Sequence, residues 1–166
     1  MADSIQILER LDDAIKAHIN AQKEGILRWT DRDDQEREIP ILVAWDDMED
    51  EDGNEIILSL PMVAISCTDA TERTVHDGNF TVTAVIEVIA HPADTTRADY
   101  RKWAGLIGAL LYRSDIAVDL SALGTNLTVK HWTNTTTSRP AESQFIESDH
   151  AMVTRFEADV YCYPMD

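Results

Sequence analysis

The sequence predicts an α+β fold, a mostly antiparallel β-sheet with two main α-helices packed on one face and long loops between elements. Three stretches carry that expectation. Residues 80–91, FTVTAVIEVIAH, set Phe80, Val82, Ala84, Ile86, Val88 and Ala90 on one face and Thr81, Thr83, Val85, Glu87, Ile89 and His91 on the other. Side chains alternate along a strand, so this reads as a central strand, buried on one face and half covered on the other. Residues 97–113, RADYRKWAGLIGALLYR, place Tyr100, Trp103, Leu106, Ile107, Leu110 and Leu111 at helical spacing. Residues 149–163, DHAMVTRFEADVYCY, alternate again, with Met152, Phe156, Ala158, Val160 and Cys162 inward and Arg155, Glu157 and Asp159 outward.

The remaining elements follow from the N-terminus. Asp3 with Gln6 forms a loose capping box ahead of a helix whose apolar stripe is Ile5, Leu8, Leu11, Ile15 and Ile19, ending near Gly25. Residues 26–38 are charged and read as a solvated loop. Residues 39–45, IPILVAW, read as a short strand, with Pro40 marking an edge or a strand entry. Residues 55–67 read as a second strand, bent or broken at Pro61. The two make a hairpin whose tip turns at Asp52-Gly53-Asn54.

Residues 68–79 are polar and read as a connection. Thr95 or Thr96 caps the helix that follows the central strand. Residues 114–125 read as a connecting segment, and 126–132 as a short strand with Leu127, Val129 and His131 on one face. Residues 133–147, rich in Thr and Ser, read as a long mobile loop. The last strand is expected beside the central one, with Arg155 opposite Glu87.

A chain of 166 residues with no long linker is expected to form one domain over 1–166. There are 31 Asp and Glu against 14 Lys and Arg, a net charge of −17. Such a surface repels phosphate backbones, which disfavours direct DNA binding. No run approaches a membrane span, and the start MADSIQILERL lacks the apolar core of a signal peptide, so export by that route is not expected. Cys67 and Cys162 fit no metal or redox spacing and read as buried thiols.

No nucleotide-binding glycine loop, nucleophile elbow or zinc-protease motif occurs, so no catalytic residue, cofactor or metal ligand is expected. Residues 46–55, DDMEDEDGNE, hold seven carboxylates. Tested as a calcium loop with Gly53 at the invariant glycine, they put Met48 at the first ligand and Ser59 where the bidentate Glu belongs, so the register fails. Asp46, Asp47, Glu49, Asp50, Glu51 and Asp52 are instead candidates for a loop facing a partner or a lumen, as is Arg139. On the back of the second helix, Arg101, Gly105, Gly108 and Tyr112 share a narrow arc. Each interior glycine there costs about 1 kcal/mol against alanine. That groove, together with Glu87 and Arg155, is the candidate subunit interface.

The order of helix, long-tipped hairpin, long strand, helix, strand, long loop and final strand spans nearly the whole chain. It includes ILERLDDAIKAHI, FTVTAVIEVIA, DYRKWAGLIGALL and MVTRFEADVYCYP. In this order the chain resembles the tail-terminator, or tail-completion, proteins of long-tailed phages and, more broadly, their neck and minor-tail relatives. The resemblance implies a structural virion protein rather than an enzyme. It implies a homo-oligomeric ring, usually a hexamer, at the head-proximal end of the tail, assembled in the host cytoplasm. Its expected partners are further copies of itself, the tail-tube protein and a head-completion or connector protein, with DNA passing nearby unbound and no membrane. Against it stand a small enzyme or ligand-binding domain, which needs a convergent polar pocket, and an acidic DNA mimic, which spreads its carboxylates rather than concentrating them.

Overall fold

The structure, a computed structural model, describes residues 3–22, 25–48, 60–72, 78–124, 126–147 and 150–165. Its centre is a five-stranded sheet in the order β3-β4-β5-β7-β6. The strands are β3 (Ile41–Val43), β4 (Met62–Glu72), β5 (Phe80–Ala90), β6 (Leu127–Ser138) and β7 (Met152–Pro164). All neighbours are antiparallel except β3 and β4. A separate ribbon pairs β1 (Arg28–Thr30) with β2 (Glu36–Glu38). The helices are α1 (Ser4–Gln22), α2 (Ala44–Asp47), α3 (Arg97–Leu111) and α4 (Ile116–Leu123). The expected α+β class is present, with α1 and α3 on one face of the sheet. No helix among the described residues is long and apolar enough to cross a membrane.

β5 occupies the middle of the sheet, as its alternation requires. Val82, Ala84, Ile86 and Val88 meet Ile7, Leu11, Ile15 and Ile19 of α1 and Trp103, Ile107 and Leu111 of α3 in one core. Trp103 is 2% exposed, and its burial stabilises the fold by about 2–3 kcal/mol. Thr96 caps α3 by accepting from the Asp99 amide at 3.2 Å. Asp3 and Gln6 form the capping box of α1, each accepting from the other's amide, at 2.9 and 3.2 Å. Cys67 and Cys162 are free buried thiols.

Several expectations are corrected. The stripe of α1 is rotated: Ile7, Ala14 and His18 are buried with Leu11, Ile15 and Ile19, while Ile5 is exposed. The charged stretch 26–38 is the β1–β2 ribbon. The Asp31 carboxylate accepts from the Asp33 and Gln35 amides, both at 2.9 Å. A side chain thus closes the turn, and Leu27 and Ile39 bury its base.

The hairpin expected over 39–67 is not formed, because β3 runs parallel to β4. Parallel neighbours need a crossover rather than a turn. The turn placed at Asp52-Gly53-Asn54 lies outside the described residues. Pro40 does enter an edge strand, and the Leu60–Pro61 bond is cis, directly ahead of β4. β4 itself runs past Cys67 to Glu72 through an irregularity at Thr68–Thr71, where Asp69 takes a positive φ of 57°.

The connection at 114–125 contains α4, which buries Ile116 and Leu120 one turn apart. The segment read as a short strand and a mobile loop is the twelve-residue β6 followed by an ordered crossing segment. Register shifts at Val129/His131 and Thr133/Thr136 break its alternation. The first shift turns His131 away from the face of Leu127 and Val129. His131 pairs with Tyr161, with ring centroids 5.8 Å apart.

Candidate functional site

Residues 139–147 cross the face of the sheet opposite α1 and α3. Phe145 and Ile146 pack there on Met62, Ala64, Ile89 and Val153. A buried charge pins the crossing. Glu87 is 0% exposed and lies in register with Arg155, whose Nε donates to Glu87 Oε2 at 2.8 Å. The pairing expected from sequence is therefore present, but it is internal. The crossing segment completes its shell: Ser143 Oγ donates to Glu87 Oε1 at 2.7 Å and the Gln144 amide to Oε2 at 3.3 Å. Arg155 Nη2 donates to the Glu142 carbonyl at 3.3 Å. A buried carboxylate is tolerable only when its lone pairs are filled in this way. Glu87 is thus inaccessible to a second subunit, which corrects its place among the contact residues.

This anchor sets Arg139 beside the first turns of α3. There a cleft of about 380 Å3 opens between Arg97, Arg101 and Arg139 on one side and Pro140, Met152 and Val153 on the other. Among the described residues no carboxylate lines it. Among the described residues none of the three arginines makes a hydrogen bond or an ion pair. The positive end of α3 adds to the field. At the base, Tyr100 turns its hydroxyl away, to the Val88 carbonyl at 3.2 Å and Thr154 Oγ1 at 2.6 Å. Burial raises its pKa, so it remains a neutral phenol. The cleft is built to hold anionic groups against an apolar wall.

The glycine groove is less uniform than its sequence. A Cβ at Gly105 meets nothing within 4 Å, whereas one at Gly108 stands 3.3 Å from the Phe156 ring. Gly105 is open surface, and Gly108 is where the helix approaches the sheet. Tyr112 is tied to β6 by its hydroxyl, 2.7 Å from Thr137 Oγ1 and 3.3 Å from the Thr135 carbonyl. It edges a second cleft of about 320 Å3 with Arg113, Lys130, His131 and Trp132.

At the opposite edge of the sheet, α2 carries the start of the acidic block. Asp47 is half-buried, accepting from Lys16 Nζ at 3.0 Å and the Val43 amide at 2.7 Å. Asp46 points outward beside an indole, Trp45, that is 72% exposed. Asp13, on α1, is exposed nearby; its pKa is raised by partial burial and by the charge of Asp46. Glu49, Asp50, Glu51 and Asp52 lie outside the described residues.

The most displaced carboxyl is elsewhere. Asp12 is 5% exposed and accepts from the Cys67 amide at 2.8 Å; burial pushes its pKa up to about 7. Burial also pushes the Cys162 thiol up to about 12 and Cys67 well above its ordinary value, so neither is a ready nucleophile. Among the described residues no three His, Cys, Asp or Glu side chains are placed to hold a metal.

Of the residues singled out by sequence, the fold brings Arg101 and Arg139 together and sends Tyr112, Glu87 and Asp46 to separate places. Arg97 and Trp45 escaped the sequence reading. The signal for Arg97 was its spacing of four from Arg101 on one helix face. No family model matches this chain, and no curated protein matches it.

Proposed function

We propose that the protein is a structural component of a phage tail, a ring that caps the head-proximal end of the tail tube, stops its growth and joins it to the head. The observation that carries this reading is the resemblance of ILERLDDAIKAHI, FTVTAVIEVIA, DYRKWAGLIGALL and MVTRFEADVYCYP to tail-terminator proteins, stretches that form α1, β5, α3 and β7 in that order, while the expected hairpin and long loop are replaced by a parallel β3 and by β6. The helix-covered sheet agrees with the fold that the resemblance implies. A closed ring needs two unlike surfaces on each subunit. The arginine cleft near β6 and the exposed Trp45–Asp46 corner beside β3 are unlike in that sense. The net charge of −17 suits a passage through which DNA slides unbound.

The test is electron microscopy of preformed tubes of the tail-tube protein from the same genome, with and without this protein. Density at one end of each tube supports the reading. Decoration along the whole length, or none, contradicts it and moves the assignment to another neck, connector or minor-tail role.

A further inference from the structure

We propose that the three-arginine cleft of one subunit receives the Trp45–Asp46 corner of the next copy of this chain. The inference rests on the ring reading above and names its subunit contact.

The arginines define the socket. Arg28, Arg32, Arg37, Arg113 and Arg155 each pair with a carboxylate of their own chain, to Glu36, Asp94, Asp31, Asp115 and Glu87. Arg10 donates to the Asn126 carbonyl. Among the described residues Arg97, Arg101 and Arg139 do none of this, although carboxylates outnumber cations more than twofold along the chain. Three guanidinium groups that pair with nothing among the described residues, gathered around one cleft that no described carboxylate lines, mark a place for carboxylates from outside.

The corner supplies them. Asp46 and Asp13 are exposed, and among the described residues no ion pair reaches either. Lys16, a cation whose charge Asp13 feels, is bonded to Asp47. Partial burial and the charge of Asp46 raise the cost of ionising Asp13, a cost that arriving guanidinium groups would offset. Trp45 precedes Asp46 in α2 and has most of its indole in water. A guanidinium stacks well on such a ring, and Pro140, Met152 and Val153 give it an apolar wall.

Position supports the match. The corner follows β3 and the cleft adjoins Arg139, the residue after β6. These are the two edge strands of one sheet. Contacts between opposite edges are head-to-tail, and such contacts close into rings when the rotation allows.

The experiment is light scattering of the full chain across a concentration series, with circular dichroism to confirm folding. The wild type is expected to associate, less so in high salt. Trp45→Ala, and separately Arg101→Glu with Arg139→Glu, are expected to weaken association by roughly thirtyfold or more. All are surface changes that leave the fold intact. Adding Asp46→Lys to the double arginine variant should recover part of the association.

A mixture discriminates further. Trp45→Ala keeps only the cleft, and Arg101→Glu/Arg139→Glu keeps only the corner. Mixed, they should form a one-to-one dimer and nothing larger. A wild type that stays monomeric at every concentration overturns the contact, as does undiminished association of either variant. So does a monomer whose cleft arginines instead bind duplex DNA. Each of these outcomes leaves the tail reading to be judged by the tube-end experiment, which does not depend on association in free solution.

Discussion

Asp12 carries a charge that the fold barely balances. It sits on the sheet-facing side of α1, and its neighbours Asp13 and Asp46 add repulsion to the cost of burial. Its pKa rises from 3.8 to about 7 on folding. Between those values the folded chain holds a proton that the unfolded chain has lost. The contribution is therefore fully present at low pH, declines as pH rises through that window, and is gone above it. Asp12→Asn keeps an acceptor for the Cys67 amide and removes the charge. It should stabilise the protein by about 1–4 kcal/mol near pH 8 and by much less near pH 4. Urea denaturation at both values checks this; equal gains at the two would contradict it. The sequence did not expose Asp12, because an aspartate beside Leu11 reads as the polar edge of a stripe. The helix buries a wider arc than that stripe, and so takes in Asp12 and His18.

At the scale of elements, the two glycines of α3 should behave oppositely. Gly105→Ala has free space and gains helix propensity, so it should stabilise by about 0.5–1 kcal/mol. Gly108→Leu drives its side chain against Phe156 and should destabilise by about 1–3 kcal/mol. Thermal denaturation of both variants decides, and a stabilised Gly108→Leu would mean the helix can shift without cost.

The crossing segment makes a second claim. Arg155→Met strands Glu87 without its cation and should cost about 3–5 kcal/mol. It should also speed proteolysis within 139–147, since that segment shares the same anchor. The double change Glu87→Gln/Arg155→Met should recover much of the loss.

These elements were unevenly legible. β5, β7 and α3 keep one clean period over their whole length and were readable. β6 was half lost because two register shifts break the period of two, and its Thr-rich end looks like a loop. α4 was missed because eight residues with only Ile116 and Leu120 buried give a weak helical signal. The parallel β3 left no local trace, since strand direction is set by a crossover rather than by the strand's residues.

Across the whole molecule, the candidate site is assembled from distant stretches. Arg101 was noticed for its helix face and Arg139 for its loop, but nothing in either stretch says that they meet. Their meeting depends on Glu87 and Arg155, which draw the segment after β6 across the sheet. Sequence pattern can show that a pair stands in register, as it did for these two. It cannot show that a third segment closes over them.

The charge balance gives the molecule-scale prediction for assembly. If guanidinium–carboxylate contacts hold the copies together, association should fall steeply with salt, since exposed pairs are screened. An association indifferent to salt, followed by sedimentation at low and high ionic strength, would point instead to an apolar interface.

As proposed above, this protein stops a tube from growing. A ring that binds a tube end by several weak contacts at once should act at low ratios to tube protein, because each tube needs one cap. The direct measurement is the length distribution of tubes assembled from the tail-tube protein with increasing amounts of this chain, read by electron microscopy. Shorter tubes are expected as the ratio rises, each with one capped end. Tubes of unchanged length and uncapped ends at every ratio would contradict it.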